Sequence, residues 1–250
     1  MINVDLTGQA LLDQERQTGI GLIVPFDLMI DREYWRWVPE STTLYLTRTP
    51  SLELPMNVDF ASAVGDLGMI SRATRDLAAA RPDVTVYACT SGSFVDGLVG
   101  EARIREAMRE AGARRALTTS GALLEALQAL GVRRLAVGTP YDATVTERLS
   151  RFLAEAGYEI VSSAFLGLTG NIFRVSRRSV RALALAADGP EADAIFLSCT
   201  NLRTFDVLEG VEEELGKPVL SANQVTMWAA LRAAGLAEAY HRPPPSPLWL

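Results

Sequence analysis

The chain has 250 residues, 48% of them hydrophobic and 22% charged, which is the composition of a folded globular protein and excludes a disordered one. The net charge is −6 with no basic stripe, so nucleic acid and anionic membrane are not expected partners. Two cysteines and one histidine, His241 in the proline-rich stretch HRPPPSPLWL, provide neither a disulfide framework, nor a zinc ligand set, nor a Ser-His-Asp triad.

In chain order, short aliphatic or β-branched runs predict strands at 20–25, 44–47, 84–88, 115–118, 135–138, 160–162, 194–198 and 218–220. Helical patterns fill the intervals at 29–37, 64–80, 95–112, 121–130, 142–156, 176–187, 203–215 and 224–234. Gly112, Gly131, Gly157, Gly216 and Gly235 stand where left-handed helix ends are expected. Continuous apolar strands alternating with helices imply parallel sheets covered on both faces, an α/β fold. The opening MINVDLTGQALLDQERQTG reads neither as a charged nor as an apolar leader. Apolar runs such as GIGLIVPF are too short to span a bilayer, so the expected compartment is the cytoplasm.

The chain also repeats itself. Pro25-Phe26-Asp27 ends the first strand and Pro140-Tyr141-Asp142 ends the fifth. Asp83 precedes VTVYAC, Asp193 precedes AIFLSC, and each cysteine is followed by threonine, as Cys89-Thr90 and Cys199-Thr200. TTSGALLEALQALG answers SANQVTMWAALRAAG. Four landmarks in the same order predict two equivalent halves related by a pseudo-twofold axis.

Ligands of parallel α/β sheets bind outside the carboxyl ends of the strands, where both cysteines fall. Two facing halves would present one thiol to each side of a small substrate. That suits proton removal on one face with delivery on the other, or covalent addition by one sulfur with the other as acid. Cysteine is commonly a plain buried hydrophobe, but two at matched positions point to chemistry. Thr90, Ser91, Gly92 and Ser93 supply N–H and hydroxyl donors suited to a carboxylate, although the same residues also make an ordinary helix start. Tyr141, Asn201 and Asn223, at or beside strand ends, can add hydrogen bonds; Trp35 and Trp37 read as packing anchors or interface residues. No G-x-G-x-x-G after a strand, P-loop or G-x-S-x-G is found. The only lysine, Lys217, sits in a helix-to-strand turn unsuited to a Schiff base. No cofactor is expected.

These residues resemble the aspartate/glutamate racemase superfamily, in the branch of maleate cis–trans isomerases and arylmalonate decarboxylases. The resemblance runs through GLIVP, YACTSGSF, TTSGALLEALQALGVRRLAVGTPYD, GLTGN, LSCTNL and GKPVLSANQ. It implies two similar Rossmann-like lobes with the active site in the cleft between them, no cofactor, and a small carboxylate substrate. It also implies a chain that crosses over, with 1–117 plus 221–250 in the first lobe and 118–220 in the second, and a homo-oligomer, dimer or tetramer. Carried over, Cys89 is the nucleophile or base and Cys199 the acid/base. Tyr141 and Asn171 match substrate-binding positions of the isomerases; Thr90, Ser91 and Tyr141 match carboxylate- or enediolate-holding positions of the decarboxylases. Pro25, Thr200 and Asn201 complete the expected substrate-binding set.

Two departures matter. Maleate isomerases typically follow the first-strand proline with a Ser-Ser-Asn stretch whose asparagine grips a carboxylate, whereas this chain reads Pro25-Phe26-Asp27-Leu28. The decarboxylases carry glycine at the first cysteine position, whereas this chain has Cys89. The leading expectation is cis–trans isomerisation of a maleate-like compound. Racemisation beside a carboxylate, decarboxylation of a malonate, and a small-acid binding protein or sensor are the alternatives.

Overall fold

The computed structural model describes residues 17–236; His241 and the proline-rich stretch lie outside them. Two four-stranded parallel sheets make up the frame. The first holds β1 (Thr18–Val24), β2 (Thr42–Arg48), β3 (Val84–Tyr87) and β4 (Ala116–Thr118) in the order β2-β1-β3-β4. The second holds β5 (Arg134–Thr139), β6 (Glu159–Phe165), β7 (Ala194–Leu197) and β8 (Val219–Ser221) in the order β6-β5-β7-β8. One order is the other with four added to each strand number, so the repeat read in the sequence is a repeat of topology.

The paired landmarks do the same work in each half. The Asp83 N–H donates to Gly19 O and the Asp193 N–H to Arg134 O, both at 2.8 Å, registering β3 and β7 against the first strand of each sheet. Their carboxylates accept backbone N–H groups of those same strands, from Gly19 at 3.1 Å and from Arg134 at 2.8 Å. Every residue of β3 and β7 is buried, as expected of central parallel strands covered on both faces.

Helices cover the sheets: α1 (Arg32–Trp35), α2 (Val58–Val64), α3 (Leu67–Ala78), α4 (Thr90–Phe94) and α5 (Gly97–Glu110) in the first half. They are followed by α6 (Thr119–Ala129), α7 (Ala143–Glu155), α8 (Arg177–Ala187), α9 (Leu208–Leu215) and α10 (Ala222–Ala233). Polar side chains fix their starts. Asp142 Oδ1 accepts from Val145 N at 2.9 Å, and Thr118 Oγ1 from Gly121 N at 2.9 Å. Ser221 and Gln224 form a reciprocal capping box at α10. The matching helices α6 and α10 meet through Thr119 Oγ1 and Thr226 Oγ1, 2.9 Å apart.

The sequence reading differs from the structure at some helix bounds. The helix expected over 64–80 is α3 alone, begun later because Asp66 caps it at Met69 N (2.8 Å), while α2 before it was not expected and ends at the Gly65 turn, which lies close against α4. The helix expected from residue 95 is preceded by the separate turn α4, and the break falls at Gly97, whose φ is +69°. The pattern over 29–37 yields a helix only at 32–35, and that over 203–215 one only from Leu208. Trp37 is buried, and Trp35 is partly exposed.

Candidate active site

The carboxyl ends of the two sheets face one small pocket. Pro25, Asp27 and Leu28 follow β1, Met56 and Phe60 come from the approach and first turns of α2, and Cys89 and Thr90 follow β3. The second half contributes Cys199, Thr200 and Asn201 from beyond β7. The two cysteine segments touch directly: Thr200 Oγ1 donates to Ala88 O at 3.3 Å, binding the residue after one thiol to the residue before the other. Tyr34 Oη lies 3.5 Å from the same carbonyl.

The repeat breaks down at the sulfurs. Cys89 has extended backbone, φ −136°, and the chain enters α4 at the next residue. Its Sγ lies 3.9 Å from Ser91 Oγ and receives the Gly92 N–H. Cys199 instead holds φ at +90°, a conformation that strains a residue with a Cβ by about 1–3 kcal/mol. This turns the chain so that the Asn201 N–H donates to Cys199 Sγ at 3.4 Å. One thiol thus sits at a helix start and the other on a strained turn.

Gly92 is needed for this approach. A Cβ there would overlap Tyr87 Oη and stand 3.3 Å from Cys89 Sγ. Tyr87 cannot swing away freely, because its hydroxyl donates to Val64 O at 2.7 Å in a fully buried setting. Ser93 Oγ bonds to Cys89 O at 2.7 Å and lies 2.6 Å from Ser120 Oγ, so the helix start is braced from behind.

Burial pushes both thiols above the ordinary range, Cys89 to about 11 and Cys199 to about 12. The N–H groups of Gly92 and Asn201 and the hydroxyls of Tyr87 and Tyr141 pull the other way. The Asp27 carboxylate adds to the upward push on both sulfurs, which places its charge within electrical reach of each. Burial raises Asp27 itself above the usual carboxylate range, opposed by its own backbone N–H, by Asn201 and by Arg48. The same burial raises the hydroxyls of Tyr34, Tyr87 and Tyr141, keeping them neutral donors. Thr90 is buried with its Oγ1 unpartnered among the described residues. The free volume is about 20 Å³, room for one water molecule. Among the described residues no group of three His, Cys, Asp or Glu is placed to hold a metal ion, and no helix is long and apolar enough to cross a membrane.

The family model described as arylmalonate decarboxylase matches residues 57–242 of this sequence. The chain belongs to the arylmalonate decarboxylase family. Over 150 residues it is 41% identical to the arylmalonate decarboxylase of Bordetella bronchiseptica, a match spanning 58% of this chain and 62% of that enzyme. Over 233 residues it is 30% identical to the maleate isomerase of Nocardia farcinica, covering 87% of this chain and 90% of that one. Among solved structures, a liganded double mutant of arylmalonate decarboxylase superposes with a TM-score of 0.81 at 33% identity, covering 88% of this chain and 93% of that one. The Nocardia maleate cis–trans isomerase carrying a covalently bound succinylcysteine intermediate superposes at 0.80 with 26% identity, covering 88% and 93%. The protein is thus an enzyme of the branch that joins arylmalonate decarboxylases and maleate isomerases, with their two-lobed α/β fold.

In this family member, six of the residues singled out from sequence line the one pocket: Pro25, Cys89, Thr90, Cys199, Thr200 and Asn201. Ser91 stands behind Cys89. Tyr141 is buried, facing Cys199 and accepting from Ser198 Oγ at 3.4 Å, with its ring edge-on to Phe94. Asn223 is buried and donates to Leu202 O at 3.3 Å, bracing the chain beyond Cys199. Asn171 is not brought to the pocket: it is exposed, with φ +55°, and opens the 3-10 turn Ile172–Arg174. Its loop reaches the mouth through the Met56 N–H, which donates to Thr169 O at 3.0 Å. Lys217 is paired with Asp188 at 2.8 Å, away from the site.

Sequence reasoning missed Asp27, Leu28, Met56 and Phe60 in the wall, and Tyr34 and Tyr87 behind the thiols. Asp27 had a signal, being one of the repeat landmarks. The others are apolar or aromatic residues indistinguishable from core until the loops are folded.

Proposed function

We propose that the protein is a cofactor-independent isomerase of a small carboxylate, acting by maleate-type cis–trans isomerisation with Cys89 as nucleophile and Cys199 as acid/base. The observation that carries this reading is one pocket walled by both thiols, each from the equivalent strand end of its own half. The Cys89 sulfur adds to one alkene carbon while Cys199 gives its proton to the other. The former double bond, now single, rotates. Cys199 takes a proton back from the same carbon, the double bond re-forms in the trans sense, and Cys89 leaves as thiolate. No atom is gained or lost. The placement of Cys89 at the start of α4, where its Sγ receives the Gly92 N–H, supports the nucleophile's role for it. Thr90, Ser91 and Tyr141 hold the substrate carboxylate as negative charge builds on it. Residues 1–117 with 221–250 form one lobe in this reading and 118–220 the other.

Because the resting pocket has room for one water only, the wall of Leu28, Met56 and Phe60 draws back to admit substrate. That apolar wall also favours a second reading, racemisation of an acid bearing an apolar group on the carbon beside its carboxylate.

Ionising Cys89 at neutral pH costs about 5 kcal/mol when its value stands near 11. A raised thiol value means that the thiolate fraction grows with pH until that value is passed. Incubation with maleate, and separately with maleamate, followed by proton NMR is therefore expected to show the trans vinyl signal of the product. The rate is expected to climb about tenfold per unit between pH 7 and 9. No trans product from either compound would overturn the reading, and a rate flat across that range would remove Cys89 as the group that must lose its proton.

A further inference from the structure

The pocket has a polarity of its own. In its lining Thr90 offers a buried hydroxyl with no partner among the described residues. Asp27 brings a carboxylate to the same lining, and both thiols share the space with them. No arginine, lysine or histidine lines the pocket among the described residues. Among the described residues the cation bearing on Asp27 is Arg48, and its guanidinium is engaged in holding the loop: Nη1 donates to Leu28 O at 2.7 Å and reaches Phe26 O at 3.2 Å and Pro25 O at 3.4 Å. The loop cannot easily carry Asp27 out of the pocket, because Asn201 Nδ2 donates to Asp27 O at 2.9 Å while its Oδ1 accepts from Met29 N at 3.2 Å. Leu28, Met56 and Phe60 make much of the remaining lining apolar, so charge is poorly screened there.

A dianionic substrate placed in this pocket meets one hydroxyl donor and one like charge. A substrate with one carboxylate and one hydrogen-bond donor has a partner in the lining for both groups. Resting on the isomerase reading, we infer that Asp27 is a specificity-determining residue which selects a monocarboxylate whose far end carries a neutral or cationic hydrogen-bond donor, such as a half-amide, and rejects a second carboxylate. Asp27 then accepts the donor N–H or O–H of that far end, and Thr90 donates to the carboxylate.

The test is protection of Cys89 from alkylation by iodoacetamide in the full-length protein, followed by peptide mass spectrometry, with succinamate and succinate as the unreactive probes. Succinamate is expected to protect at a concentration at least tenfold lower than succinate. Asp27→Asn, which keeps the size of the side chain and removes its charge, is expected to shift the ratio of the two by at least tenfold toward succinate. Succinate protecting as well as succinamate, an unchanged ratio in Asp27→Asn, or protection by neither probe would each overturn the inference. Turnover separates this from the function itself: equal conversion of maleate and maleamate keeps the isomerase and removes the role of Asp27. Preferential protection by succinamate with no conversion of either alkene does the reverse.

Discussion

Cys89→Ser is expected to lower turnover by about 10⁴-fold or more while leaving the fold in place. The serine is nearly isosteric and its oxygen can still accept the Gly92 N–H that the sulfur accepts, so the thermal midpoint should move by only a few degrees. The chemistry depends on it entirely: a hydroxyl is far less acidic and less nucleophilic than even a thiol pushed up to about 11. The assay is the rate of trans product formation by NMR beside a thermal melt of the same sample. Turnover within tenfold of the wild type would assign the attacking group elsewhere.

Gly92→Ala is the second large effect, and it acts through packing. The added Cβ would overlap Tyr87 Oη and press on Cys89 Sγ from 3.3 Å. Relief requires Tyr87 to give up its 2.7 Å bond to Val64 O or the start of α4 to shift away from β3. Overpacking of a tight interior costs about 1–3 kcal/mol, and an orphaned buried polar group about as much again. Destabilisation of about 2–4 kcal/mol is expected in denaturant melts, and turnover should fall about 10²-fold as Cys89 is displaced. A variant with wild-type stability and rate would show that this close approach has no role.

Much of the architecture was legible in the residues. The eight strands and the duplicated order of the sheets follow from aliphatic runs and from Asp83 and Asp193, whose spacing to the cysteines is the same in both halves because each aspartate sets the register of its strand. Glycines at 112, 131, 157, 216 and 235 all have positive φ, as the helix ends required. What was not legible depends on contacts between distant segments. The existence of α2 before the helix read at 64–80, and the break between it and α3, depend on Gly65 lying against α4 and on the Asp66 cap. Cys89 and Cys199 look equivalent in sequence, yet one is extended and the other has φ +90°, a difference set by a helix following the first and a turn following the second. Asp27 shows how a residue can be visible as a landmark and still be missed as chemistry: only the folded loop brings its charge up to both sulfurs.

A covalent bond between Cys89 and the substrate is the central event of the proposed isomerisation. In Cys199→Ser the addition can still occur, with water supplying the proton to the second carbon, but that proton cannot be removed again at the normal rate to release the product. Incubation of this variant with maleate or maleamate, acid quenching and peptide mapping are predicted to show the Cys89 peptide heavier by one whole substrate molecule. Trans product accumulating while the Cys89 peptide stays unmodified throughout would contradict it.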